Sequence, residues 1–183
     1  MLFRSGVLYK RLRIGGNTRK RKRGTRDSRG IIKNKVSIHD RPKIVEKRER
    51  IGDWEVDLMS GKNHKSFLVT LVDRVSKFTL IKQVKNKSAN IVSEAVCNML
   101  KPFKDIVYTV TSDNGKEFAN HQSIAKKLKA QFFFADPYTS QQRGTNENTN
   151  GLIRQYFPKK TCLKNVTRSE EHTSELQSPC NLV

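Results

Sequence analysis

From Gly52 onward the chain carries three short apolar and β-branched runs, Trp54–Met59, Ser66–Asp73 and Phe78–Val84, parted only by the polar turns Ser60–Lys65 and Arg74–Lys77. Three such runs in succession predict an antiparallel meander. The pattern then changes period. Ser88 stands where a helix N-cap belongs, and Ile91, Ala95, Val96, Met99 and Leu100 share one face of a helix over Ala89–Phe103. A buried strand over Ile106–Thr111, a tight turn at Gly115 and a helix over Phe118–Leu128 follow. Next come a strand over Gln131–Ala135, a polar loop over Asp136–Thr145 and a last helix over Asn146–Phe157. The order β-β-β-α-β-α-β-α predicts an α/β domain, a mixed five-stranded sheet with helices packed on it.

Ligand sites in such sheets gather at strand ends, and acidic residues stand at matching places here. Asp57 lies on the first strand, in G-D-W-E-V-D-L (Gly52–Leu58). Asp113 lies just past the fourth, in V-T-S-D-N-G-K-E-F (Val110–Phe118). Glu147 opens the last helix, in Q-R-G-T-N-E-N-T-N-G-L-I-R-Q-Y-F-P (Gln142–Pro158), with 33 residues between it and Asp113. Phosphodiester chemistry on DNA uses two divalent ions about 3.5–4 Å apart, and carboxylates are the hard oxygen ligands that hold them. Strand alternation puts Glu55 on the same face as Asp57, opposite Trp54, so alternation alone does not separate the two. Asp53, Glu55, Asp73 and Glu117 read as surface or turn residues. On the last helix Thr149, Leu152, Ile153 and Tyr156 form a stripe able to pack on the sheet, with Glu147, Asn150, Gly151 and Arg154 on the other side.

The 183-residue chain has a net charge of +20, unevenly spread. Residues 1–50 hold 18 Lys/Arg against 4 Asp/Glu, residues 51–167 hold 18 against 10, and residues 168–183 hold 1 against 3. Residues 6–50, with Arg19, Lys20, Arg21, Lys22 and Arg23 in one run, read as a low-complexity basic arm. Such an arm points to nucleic acid, held through backbone phosphate and so without sequence information. Lys116, Arg143, Arg154, Lys159 and Lys160 are further candidates to hold the DNA backbone. Three cysteines with no C-x-x-C pair fit a reducing compartment. No apolar run approaches the ~18 residues of a membrane span, and the N-terminus carries charge too early for a secretory signal. A cytoplasmic protein is the expectation. The two ends read as foreign. Leu2–Ser5 and Arg168–Glu171 can be encoded by reverse-complementary DNA, CTCTTCCGATCT and AGATCGGAAGAG, which resembles a common sequencing-library adapter. Residues 1–5 and 168–183 are therefore expected to be non-native, flanking a truncated core over residues 51–167.

The blocks W-E-V-D, L-V-T-L-V-D-R-V-S-K-F, T-S-D-N-G-K-E-F-A-N-H and P-Y-T-S-Q-Q-R-G-T-N-E-N-T-N-G-L-I-R-Q-Y-F-P resemble the catalytic domain of the IS thirty family of bacterial insertion-sequence transposases. That family sits within the DDE transposases and retroviral-type integrases. The resemblance covers about Lys20–Val166. It implies an RNase H-like fold and the triad Asp57, Asp113 and Glu147, and it is what ranks Asp57 above Glu55. It further implies two Mg2+ (or Mn2+) ions, and DNA as partner at both transposon ends and target. A homo-oligomer is expected for the intact protein, with no membrane involvement. Gln141 departs from the family's usual Trp and Asp73 from its common Glu. The family's N-terminal helix-turn-helix region and its closing helix are expected to be missing. Two other readings compete. A non-enzymatic or catalytically dead DNA-binding fragment explains the charge but not three carboxylates, which repel phosphate unless a metal intervenes. A retroviral-type integrase of another lineage shares the triad but brings a His-His-Cys-Cys zinc module, whose spacing His39, His64 and the three cysteines do not form.

Overall fold

The structure, a computed structural model, describes residues 32–62, 66–137, 139–159, 161 and 163. The basic run Arg19–Arg23, Lys160 and the end segments 1–5 and 168–183 lie outside them. Five strands form one sheet: β1 (Asp53–Ser60), β2 (Phe67–Asp73), β3 (Thr79–Val84), β4 (Thr109–Ser112) and β5 (Gln131–Phe134). Their order is β3-β2-β1-β4-β5. The first three pair antiparallel, as the meander requires, with Asp57 opposite Thr70. β4 joins β1 in parallel, with Glu55 opposite Thr111, and β5 joins β4 in parallel. The mixed five-stranded sheet flanked by helices is thus the one expected from the pattern.

Four helices cover the sheet: α1 (Lys43–Lys47), α2 (Ala89–Leu100), α3 (His121–Leu128) and α4 (Gly144–Tyr156). Alternation along β1 divides the core in two. Trp54 and Val56 join Phe67, Val69 and Leu71 in the larger cluster, with Val92, Val96 and Leu100 of α2 and Ile124 and Leu128 of α3. Met59 and Leu68 face the other way and pack with Ile153 of α4 and Leu163. α4 therefore lies against the β1–β2 face that also carries Glu55 and Asp57. β2 is buried along its whole length because both faces are covered.

Several boundaries differ from the sequence reading. α2 stops at Leu100, not Phe103, and a 3-10 segment runs on over Lys101–Ile106. Pro102 has no N–H to donate and its ring crowds the preceding turn. Ser88 occupies the N-cap position without a side-chain capping bond. β4 begins three residues late, because Ile106 and Tyr108 lie in an exposed approach to it. There the chain passes over Gly52, whose φ of +104° and 1.8 Å clearance between a built Cβ and the Ile106 carbonyl oxygen leave no room for a side chain. Part of the segment assigned to the basic arm lies on the domain: Ser37 bridges to Phe134, and Ile38, Arg41 and Val45 are buried.

The apolar stripe of α4 is a correction. Leu152 and Tyr156 are 45% and 52% exposed, and only Ile153 of the stripe is buried. The face on the sheet is instead Asn146, Asn150, Ile153 and Phe157. Two of those residues are polar, and their amides are paired inside the protein. Hydrophobicity alone therefore pointed the helix about one residue step away from its true seat.

Candidate active site

Asp57 lies on β1 two residues past its parallel pairing with β4, Asp113 directly follows β4, and one guanidinium reaches both. Arg143 Nη1 lies 3.3 Å from Asp57 Oδ1 and Nη2 lies 3.7 Å from Asp113 Oδ2. Arg143 also donates to the Val56 carbonyl oxygen at 3.2 Å. It closes the 3-10 segment Ser140–Arg143 that leads into α4. The second Asp57 oxygen, Oδ2, accepts from Asn150 Nδ2 at 2.7 Å. Asp113 Oδ1 accepts the Gly115 N–H at 2.9 Å, so its loop fixes one oxygen and leaves the other turned to Arg143. Behind Asn150, the Thr70 hydroxyl lies 3.0 Å from Asn150 Oδ1 and 3.2 Å from Asn146 Oδ1. Its single proton serves one amide oxygen at a time.

Glu147 is exposed and joins Asp57 along one cavity of about 420 Å³, with Arg143, Asn150, Gly151, Arg154 and Lys159 in its wall. The polar face expected for the last helix is therefore the face that lines the cavity. Arg154 Nη2 donates to the Ser60 carbonyl oxygen at 2.7 Å, which holds its guanidinium at the rim. Burial lowers the Arg154 pKa. Lys116 stands exposed on the 3-10 segment after Asp113 and is not in the cavity wall. Among the sequence-derived candidates, Asp57, Glu147, Arg143, Arg154 and Lys159 come together. Asp113 joins them through Arg143.

Three other acids, Asp53, Glu55 and Glu117, depart from the surface or turn reading, and Asp73 departs from it only in being buried. Asp53, Glu55 and Asp73 are buried. Asp53 takes both Arg50 Nε and Nη2, at 2.9 and 3.0 Å, and accepts from Thr109 Oγ1 at 2.7 Å. Asp73 is a turn residue as expected, accepting the Val75 and Ser76 N–H groups, and it also ties down Gly52 N. Glu55 pairs with Arg74, Nε to Oε1 at 3.5 Å, and accepts the Asn146 N–H. Glu117 folds back over Gly115, its carboxylate filling the space a Cβ there would need. Burial lifts its pKa, and the charges of Asp113 and Asp57 push the same way, against a backbone hydrogen bond and Lys87. The sequence signal for the Asn pair was its i, i+4 spacing; nothing local announced Glu55.

The donor set suits a hard divalent cation. Asp57 and Asp113 already converge on one positive charge, that of Arg143, and Glu147 opens onto the same space. The carboxylates do not form a finished cage: among the described residues, no three His, Cys, Asp or Glu side chains group closely enough to hold an ion.

A mixed five-stranded sheet of this order flanked by helices is the RNase H-like fold of retroviral integrase catalytic cores. A chain of the simian T-cell lymphotropic virus intasome in complex with PP2A regulatory subunit B56 gamma, solved by cryo-EM, shares it with a TM-score of 0.51 at 21% identity, over 69% of this chain and 48% of that one. The integrase core domain family matches residues 48–140, just over half the chain, and the chain belongs to it. It is 46% identical over 168 residues to the transposase for insertion sequence element IS4351 of Bacteroides fragilis, across 91% of this chain and 51% of that protein. It is 42% identical over 155 residues to transposase InsI for insertion sequence element IS30A of Escherichia coli, across 84% and 39%. The chain thus spans about half the length of the curated relatives it matches, or less. No helix among the described residues is long and apolar enough to cross a membrane.

Proposed function

We propose that this chain carries the catalytic core of an insertion-sequence transposase, cutting DNA at the element's ends and joining those ends to target DNA. The observation that carries the reading is the convergence of Asp57 and Asp113 on a single cation, Arg143, beside a cavity that Glu147 also lines. Asp57, Asp113 and Glu147 would hold two Mg2+ or Mn2+ ions. Such ions, when bound, activate water and then the freed 3′-hydroxyl as nucleophiles and neutralise the leaving oxygen. The chain's own residues do the rest. Asn150 fixes the Asp57 carboxylate by one oxygen and leaves the other turned into the site. Arg154 and Lys159 put positive charge at the rim, where a phosphodiester backbone can lie. Arg143 is placed to exchange its carboxylate partners for a DNA phosphate once divalent cations neutralise the acids. The basic arm and Lys116 extend the phosphate-binding surface, and the intact protein acts as an oligomer on DNA.

Asp113→Asn, made in a version of the protein extended to the length of its relatives, tests the reading. The substitution keeps shape and removes the charge that holds an ion. Cleavage and strand joining are expected to fall by at least about a thousandfold, while gel shifts show DNA binding largely intact. Wild-type cleavage in the variant would falsify the assignment.

A further inference from the structure

Glu55 is fully buried, yet its carboxylate is spent on another element's backbone. Its Oε2 accepts the Asn146 N–H at 2.8 Å. Its own carbonyl oxygen accepts Asn146 Nδ2 at 3.0 Å. Asn146 is the third residue of α4 and the one before Glu147. The first N–H groups of a helix have no partner within it, and a carboxylate there is also favoured by the helix dipole. α4 has no side-chain cap of its own: its N-cap residue is Arg143, which makes no capping bond. β1 supplies the missing cap from across the sheet.

The arrangement is an expensive way to pack a helix. A buried carboxylate must be desolvated, and it is balanced here by Arg74 at 3.5 Å, with the buried Arg41 guanidinium near enough to feel its charge. An apolar pair of similar volume would often stabilise the fold as well or better. What the polar contact adds is direction, because it ties the strand of Asp57 to the residue beside Glu147.

We propose that Glu55 is a positioning residue: by capping α4 from β1 it sets Glu147 at its working place opposite Asp57. This rests on the triad proposed above. Mn2+ binding by the full chain, followed by water proton relaxation and normalised to folded protein, tests it. Glu55→Gln preserves shape and is expected to weaken Mn2+ binding about tenfold, the usual loss when an outer contact of a metal ligand is altered. Hydrogen exchange of the Asn146 amide should quicken in the same variant. Asn146→Ala, which removes only the side-chain half of the latch, is expected to weaken binding several-fold, and it carries the test should the Glu55 variant fail to fold. Asp53→Asn is the structural control: it breaks another acid–arginine pair on β1, one whose arginine is partly exposed, so it should lower Tm and leave Mn2+ affinity unchanged. A Glu55→Gln protein with lowered Tm but wild-type Mn2+ affinity overturns the proposal, as does an equal loss of affinity in Asp53→Asn. Glu147→Gln separates the two levels. If it leaves Mn2+ binding unaltered, the triad itself falls and the latch with it; if it abolishes binding while Glu55→Gln does not weaken it, the latch alone falls.

Discussion

At Asp57 two neighbours divide one carboxylate. Asn150 holds one oxygen as a neutral donor, and Arg143 holds the other as a charge. The neutral contact can persist when a cation arrives; the charged one competes with it. Arg143→Gln is therefore expected to strengthen Mn2+ binding to the DNA-free protein, on the order of fivefold for a partly exposed ion pair, and to weaken DNA binding. Calorimetry and gel shifts on one preparation check both; weaker Mn2+ binding in the variant would mean that Arg143 supports the ion site. Glu117 allows a pH argument. Burial first, then Asp113 and Asp57, raise its pKa in the folded protein above the unfolded value. Its contribution to stability is then full below the unfolded pKa and is lost as pH rises through the folded one. In metal-free protein Glu117→Gln should be more stable than the parent at about pH 7, and the gain should vanish below about pH 4. Urea melts at the two pH values decide it; an equal gain at both would remove the electrostatic explanation. As candidates, the acids Asp57, Asp113 and Glu147 were legible because each stands in a distinctive run, with Asp57 ranked above Glu55 by the family resemblance alone. Glu55 was not, because its partners Arg74 and Asn146 lie 19 and 91 residues away along the chain, and only the folded sheet brings them to it.

α4 shows where element-scale reading succeeds and where it fails. Its existence and cavity-lining face follow from the sequence, since Glu147, Gly151 and Arg154 recur at helical spacing. Its seat on the sheet does not follow, because Asn146 is buried and Asn150 half-buried through hydrogen bonds that no hydrophobic pattern marks. The corrected seat separates two neighbouring residues by their energetics. Ile153→Ala should cost about 3 kcal/mol through lost burial and a cavity. Leu152→Ala should change stability by less than about 0.5 kcal/mol. Denaturant melts of the two variants compare them directly; equal losses would put Leu152 back against the sheet. α2 makes the complementary point. Its apolar face was legible: Ala95, Val96 and Leu100 enter the larger core and Ile91 and Met99 pack against it, with Val92 added by the fold. Its end was misjudged because the apolar period continues through Phe103 while the backbone, at Pro102, cannot.

For the molecule as a whole, the charge is partitioned as the fold is. Residues 51–167 carry a net charge of +8, and the larger excess of positive charge, +14, lies in residues 1–50. Deleting residues 6–50 removes a net charge of +13, but Ile38, Arg41 and Val45 are buried in the domain. The informative cut is therefore residues 6–31. It should flatten the slope of log affinity against log salt, since each phosphate contact contributes about −0.9 to that slope. An unchanged slope in salt titrations of DNA binding would mean that the arm does not meet the backbone. The sheet that carries the site turns on β1, which has a partner on each side. It sends Trp54 and Val56 into one core and Glu55 and Asp57 toward α4. A side-chain period of two gives such a strand no half measures. A three-nucleotide deletion between the codons of Gly52 and Asp57 would not merely shorten it. It would drive the acids into the oily side and turn aromatic and aliphatic side chains toward the cavity. Over these few codons, drift can proceed by substitution, but hardly by gain or loss of a residue.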